Sequence, residues 1–262
     1  MNHEAVLALY DRQMRKGAPA DGPGARVERT GRVVRQTGGD HGWDGILWSD
    51  LDADSADAAI AEQVRHFTSL GREFEWKLYA HDRPADLGRR LLAAGFEPEP
   101  EETLLAAETN RLLSGARLPE GIELREVTDA PGVELVAQVH EQAFGTDARR
   151  LQDRLLDQLS AGTGTVVAVV AMAGDVPVGS SRLELPPGRD FAGLWGGGTV
   201  PGWRGRGIYR ASVAFRARLA AARGYRFLQV DAMPTSRPVL RRLGFTALST
   251  TTPYLYRPGP SA

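Results

Sequence analysis

Val200-Pro201-Gly202-Trp203-Arg204-Gly205-Arg206-Gly207-Ile208-Tyr209 joins a stretch that reads as a strand to one that reads as a helix. Downstream, Ile208, Ala211, Phe215, Leu219 and Ala222 recur at helical spacing and predict an amphipathic helix over 207–222. The first amides of such a helix lack intrahelical acceptors and lie at the positive end of its dipole, so they suit an anion. Gly205 and Gly207 remove the side chains that would keep a phosphate away, and Arg204 and Arg206 add permanent positive charge. An isolated Arg-Gly-Arg-Gly is as readily a solvated turn, but its place between strand and helix favours phosphate binding. A P-loop would require Gly-Lys-Ser/Thr, which is absent, and a dinucleotide fingerprint fails because its third glycine position is Arg210.

Working outward, the strand before the loop is expected over 191–200 and contains Gly196-Gly197-Gly198. Glycines inside a strand mark a bulge or the close approach of another backbone. Strands are also predicted at 122–127, 165–173, 176–185 and 227–231, with Gly174-Asp175 turning a hairpin. Helices are predicted over 130–143, 148–159 and 236–243, and a last strand over 250–256. The earlier part reads as a helix at 3–15 and strands at 26–29, 33–36 and 45–49. A helix at 55–70, a strand at 74–80, a helix at 86–94 and a strand at 103–107 follow. The order gives an α/β (α+β) arrangement, a mixed sheet with helices on both faces.

The halves echo each other. Strand Phe74–Ala80, a Pro-containing turn, then Leu91 to Gly95-Phe96 matches strand Phe227–Asp231, a Pro-containing turn, then Leu240 to Gly244-Phe245. The pattern weakens between Asn110 and Gly121. We therefore expect a first domain at 1–112, a linker at 113–120 and a second domain at 121–262.

Composition excludes several function classes. The formal net charge is -1 over 262 residues, with no basic stripe interleaved with aromatics, so no nucleic-acid partner is expected. There is no cysteine, hence no disulfide, thiolate nucleophile or cysteine-bound metal. His3, His41, His66, His81 and His140 are scattered without ligand spacing, so no metal is expected. The most apolar run, Val166–Ala173, is too short to span a bilayer, and Met1–Arg15 lacks a signal-peptide core. A cytoplasmic location without membrane attachment is the default expectation.

The 204–209 stretch resembles the pyrophosphate loop of the GCN5-related N-acetyltransferase family, Q/R-x-x-G-x-G/A. Arg204 and Gly207 match, and Tyr209 stands at the small position. Val200-Pro201 before the loop and Leu243-Gly244-Phe245 after the next strand also resemble the family, over about Ile122 to Tyr256. The resemblance implies a mostly antiparallel sheet, and acetyl-CoA as co-substrate. It also implies that the backbone of Thr199 and Val200 pairs with the pantetheine arm, and that the amides of Arg204, Gly205, Arg206, Gly207, Ile208 and Tyr209 hold the pyrophosphate.

Acetyl transfer needs a neutral amine, a stabilised oxyanion and a protonated leaving thiolate. Family members often carry a Glu on the strand before the loop, but Leu194-Trp195-Gly196-Gly197-Gly198 has no carboxylate. They often carry a Tyr where this chain has Leu240. Asp231, Glu184, His140 and Glu141 are the substitute candidates, and absence of cysteine favours direct attack on the thioester over a thiol acyl-enzyme. At the position corresponding to the loop, the first half reads Ser49-Asp50-Leu51-Asp52-Ala53-Asp54-Ser55, carboxylate-rich and without glycine. It resembles the degenerate domain of tandem acetyltransferases. The expected activity is N-acetylation of a small-molecule amine; the alternatives are a non-catalytic acyl-CoA-binding protein and a protein-interaction module.

Overall fold

The computed structural model describes residues 1–112 and 117–259, so residues 113–116 of the expected linker lie outside the described residues. Helix α1 (His3–Tyr10) continues into a π-helical turn at Asp11–Lys16 and is followed by strands β1 (Arg26–Thr30), β2 (Val33–Thr37) and β3 (Gly45–Ser49). Then come α2 (Ala56–Ser69), β4 (Phe74–Tyr79), α3 (Leu87–Ala93), β5 (Glu97–Pro98) and β6 (Glu102–Glu108). The next run is β7 (Ile122–Val127), α4 (Ala130–Phe144), α5 (Arg149–Ser160), β8 (Val166–Ala173), β9 (Val176–Glu184) and β10 (Phe191–Thr199). After it come α6 (Ile208–Ala222), β11 (Phe227–Ala232), α7 (Arg237–Arg242) and β12 (Thr246–Tyr256). No helix among the described residues is long and apolar enough to cross a membrane.

Two compact units form. One takes Met1–Leu105, Asp231–Arg237 and the chain from Ala247 onward; the other takes Ala106–Val230 and Pro238–Thr246. Packing therefore divides the chain differently from a single cut near residue 113. The reason is β12, which pairs antiparallel with β4 from Thr251↔Tyr79 to Tyr256↔Phe74. Its Tyr256 ring lies 5.7 Å from Phe74 and 5.2 Å from Phe96, inside the first core.

Each unit follows the same plan. In the first, β1, β2 and β3 pair antiparallel, α2 crosses over, and β4 runs parallel to β3. In the second, β8, β9 and β10 pair antiparallel, α6 crosses over, and β11 runs parallel to β10. The ends of α3 and α7 also match: the Phe96 N–H donates to Leu91 O and the Phe245 N–H to Leu240 O, each at 3.1 Å. Those are equivalent helix-closing bonds, each ahead of a buried Phe. The duplication read from the sequence is thus a duplication of structure.

In the second unit, α4 and α6 both pack on the β8–β10 sheet. Successive β9 residues face opposite ways. Ser181 Oγ shares a 2.7 Å hydrogen bond with Ser212 of α6, while the charge of Arg182 is felt at His140 of α4. One expectation needs correcting. Phe215 and Leu219 of α6 are only half-buried and Ala222 is exposed, whereas Ser212, Val213, Arg216, Ala217 and Ala220 are buried. A helix enclosed on most of its surface has no single apolar stripe, so its sheet-facing side is set by what it meets there.

Candidate functional site

Strand β10 pairs with β11 over only three rungs, Phe191↔Phe227 to Gly193↔Gln229. From Leu194 to Thr199 it keeps its β9 partner alone, leaving an open strand edge. Its register on β9 shifts between Trp195 and Gly198, which face Arg182 and Ser180, so β10 carries one extra residue there. Gly196, at φ 55°, is exposed inside that bulge. The next two glycines admit close neighbours: a Cβ on Gly197 would stand 2.8 Å from Tyr209 Cε2, and one on Gly198 2.9 Å from Phe144 Cε2.

The loop after β10 turns on its glycines. Gly205 (φ 77°) and Gly207 (φ 89°) adopt left-handed backbone, which costs an L-residue roughly 1–2 kcal/mol. Gly207 is the N-cap of α6 and supplies no side-chain cap, and the first turn of α6 has no acidic residue. The leading α6 amides are therefore left for an external acceptor. Arg204 is used otherwise: its Nε donates to Thr199 O at 3.1 Å and its Nη2 to Ala143 O at 2.9 Å, tying the end of α4 to the end of β10. Arg206 lies 4.5 Å above the Trp203 ring. Both backbone groups of Val200 are engaged, since its N–H donates to Val178 O and its carbonyl accepts from the Trp203 N–H. Val200 therefore has no free N–H to offer a ligand, and the open edge lies before it.

Polar atoms that are buried and without partners among the described residues line this edge. They are Thr199 Oγ1 at its end, Gln229 Oε1 at the last paired rung and Arg216 Nη2. Arg216 is 1% exposed. Its Nε donates to Ser212 O at 3.3 Å, and its Nη1 to the carbonyl of Arg182, opposite the bulge, at 2.9 Å. Burial pushes its pKa down to about 10. Tyr209 extends from the first turn of α6 toward Gly197 and Arg216. Burial raises its phenol pKa, and the Arg216 charge opposes that rise.

Of the four catalytic candidates, Asp231 belongs to the first unit and Glu184, His140 and Glu141 to the second. The Asp231 carboxylate is buried in the first unit, 2.7 Å from Lys77 Nζ, which also lies 3.4 Å from Glu102. Glu184 pairs with Arg154 at 3.7 Å. His140 and Glu141 lie near the end of α4; His140 Nε2 is 2.9 Å from Thr146 Oγ1, and burial followed by the Arg182 charge lowers its pKa. Leu240 is fully buried. Sequence reading missed Arg182, Arg216 and Gln229. An arginine at a buried α6 position is a signal visible only once the helix is oriented.

A left-handed glycine turn, uncapped helix amides, an open strand edge and orphaned buried polar atoms along it fit a long ligand with a phosphate at one end and amides behind it. No protein-family profile matches the chain, and no curated protein does. Solved structures do. A GCN5-related N-acetyltransferase from Kribbella flavida is 20% identical, with 99% of this chain and 95% of that chain covered and a TM-score of 0.67. A functionally unknown conserved protein from Staphylococcus epidermidis is 14% identical, with 93% and 97% covered and a TM-score of 0.68. A tandem GNAT protein from the clavulanic acid biosynthesis pathway is 14% identical, with 100% and 89% covered and a TM-score of 0.62. The likeness spans nearly the whole of each chain, and with the internal repeat it shows that this chain has the GCN5-related N-acetyltransferase fold, present twice.

Proposed function

We propose that the chain is an acetyl-CoA-dependent N-acetyltransferase that moves an acetyl group to the amine of a small molecule. The observation that carries this reading is the unpaired β10 edge leading straight into the uncapped start of α6. Amides of Gly205 to Tyr209 would hold the pyrophosphate, with Arg206 nearby as counter-charge. The edge from Leu194 to Thr199 would take the pantetheine amides as an added strand does. Tyr209, packed toward Gly197, keeps its ring off the turn that receives the phosphates.

In the transfer, the amine nitrogen attacks the thioester carbonyl, the C–S bond breaks and the sulfur leaves as thiolate. Negative charge develops first on the carbonyl oxygen and then on sulfur. Arg216 has no ion-pair partner among the described residues and sits beside the bulge, where a fixed cation stabilises such charge and disfavours an ammonium over a free amine. With Asp231 and Glu184 in ion pairs, His140 and Glu141 are the groups left to take the amine proton. His140 is suited by being neutral near pH 7, since its pKa is held below the ordinary value.

The test is thiol release when acetyl-CoA is mixed with a panel of amines. Release that depends on the amine supports the proposal. Tight acetyl-CoA binding with no release from any amine would instead favour a non-catalytic acyl-CoA-binding protein, which the missing Glu and the buried Leu240 would suit. Absence of binding would sink both readings.

A further inference from the structure

Arg182 projects from β9 toward α4 and is partly buried, and its Nε has no hydrogen-bond partner among the described residues. Its nearest carboxylate, Glu184, is engaged by Arg154. Arg182 and Arg154 bring positive charge to this wall, and Glu184 offsets part of it. His140 adds none when neutral, and its neighbours are the Thr146 hydroxyl, the Phe144 ring at 5.0 Å and the solvent-exposed Glu141. Burying Arg182 Nε without an acceptor is unfavourable, and the Glu184 charge does not supply one.

The orientation of Arg182 indicates one. A Cβ placed on Gly196 would lie 3.6 Å from Arg182 Nε and 4.0 Å from Nη2. The Nε and Nη2 edge of the guanidinium therefore faces the exposed glycine of the bulge. That edge is one of the forks that binds a carboxylate through two parallel hydrogen bonds. Arg216 serves the opposite face of the same bulge, through Gly197, and is too buried to meet an acceptor molecule.

We propose that the acceptor amine carries a carboxylate a few bonds away, as an amino acid does, and that Arg182 receives it beside Gly196. This rests on the acetyltransferase reading, because it is transfer at the β10 edge that brings the amine close to the bulge. A short separation between amine and carboxylate follows from Gly196 lying on that edge.

The experiment compares α-amino acids with their carboxamides and with aminoalkylphosphonates, using the full chain and acetyl-CoA. We expect kcat/KM for the acids to exceed that for the matching amides by about tenfold or more, as for loss of one charge-assisted contact. Arg182→Met should collapse that ratio toward one, chiefly through KM. A second measurement does not need turnover. The His140 ring, identified by loss of its NMR signal in His140→Gln, should titrate at higher pH when an amino acid neutralises Arg182, and should not respond to the amide. Amides or phosphonates used as well as acids, a ratio unchanged in Arg182→Met, or a His140 titration indifferent to every acid would each overturn the proposal. A His140 response to acids without acetyl transfer would keep the carboxylate site and remove the enzyme reading instead.

Discussion

Arg216 combines a cost with a use. Burial lowers its pKa to about 10, a penalty on the charged form on the order of 3 kcal/mol. The folded value is the lower one, so the penalty is fully present below pH 10 and is relieved only as pH rises from there toward the unfolded value. At neutral pH it is constant. Replacing Arg216 by Met removes the penalty but leaves the Arg182 carbonyl without its donor, a loss of about 1–3 kcal/mol. The two nearly cancel, so Arg216→Met should melt within a few degrees of wild type, while acetyl transfer falls by about tenfold or more. A variant that melts far lower and transfers normally would mark Arg216 as purely structural. Gly207 gives a second test. Both Gly207→Glu and Gly207→Asn put a side chain on the φ 89° backbone, which Asn tolerates better, and only the first places a carboxylate at the helix start. Calorimetry should show acetyl-CoA binding abolished in Gly207→Glu and merely weakened in Gly207→Asn. Equal affinities would remove the loop from the site. The glycines were legible in the sequence because turn chemistry is local. Arg216 was not, because Phe215 beside it is the better apolar residue by type.

At the scale of elements, local signals placed most boundaries. Asp129 caps α4 through Gly132 N at 2.9 Å, and Gly145 ends it at φ 74°. The run Val166–Ala173 forms β8, buried along nearly its whole length. The two-residue β5 was too short to leave a pattern, and the π-helical turn after α1 has no periodicity that separates it from the helix before it. The bulge in β10 was suggested by three glycines, but its consequences depend on what faces it. Gly197→Ala would press on the Tyr209 ring at 2.8 Å, and overpacking of this kind costs about 1–3 kcal/mol. Tyr209→Ala should relieve it, so chemical denaturation of the two single variants and the double should show coupling of opposite sign to the Gly197→Ala loss. Strict additivity would show that the ring has room to move.

The whole molecule is one fold used twice with unequal results. The first unit's counterpart of the phosphate loop is closed on itself: Asp52 Oδ1 accepts from the Ser55 N–H at 2.9 Å, and Asp52 also meets Arg32. Hydrogen bonds from Ser55, then the contact with Arg32, hold the Asp52 carboxyl well below the usual carboxylate range. An ionised carboxylate at the start of α2 repels phosphate. We therefore expect one acetyl-CoA per chain by calorimetry; a stoichiometry of two would contradict this account of the first unit. The sequence by itself determined the order of most elements, the repeat of their pattern and the glycine loop, because each shows in residues a few positions apart. Tertiary structure alone decided that β12 completes the first unit, that Arg182 and Arg216 flank the bulge, and that Asp231 is held by Lys77 across 154 residues of chain. Those outcomes depend on burial and on which charges meet, and neither is encoded by any short stretch. The Arg204–Tyr209 stretch was therefore legible as a glycine-rich turn between strand and helix, while the roles proposed for Arg182 and Arg216 rest on contacts that only the folded sheet makes.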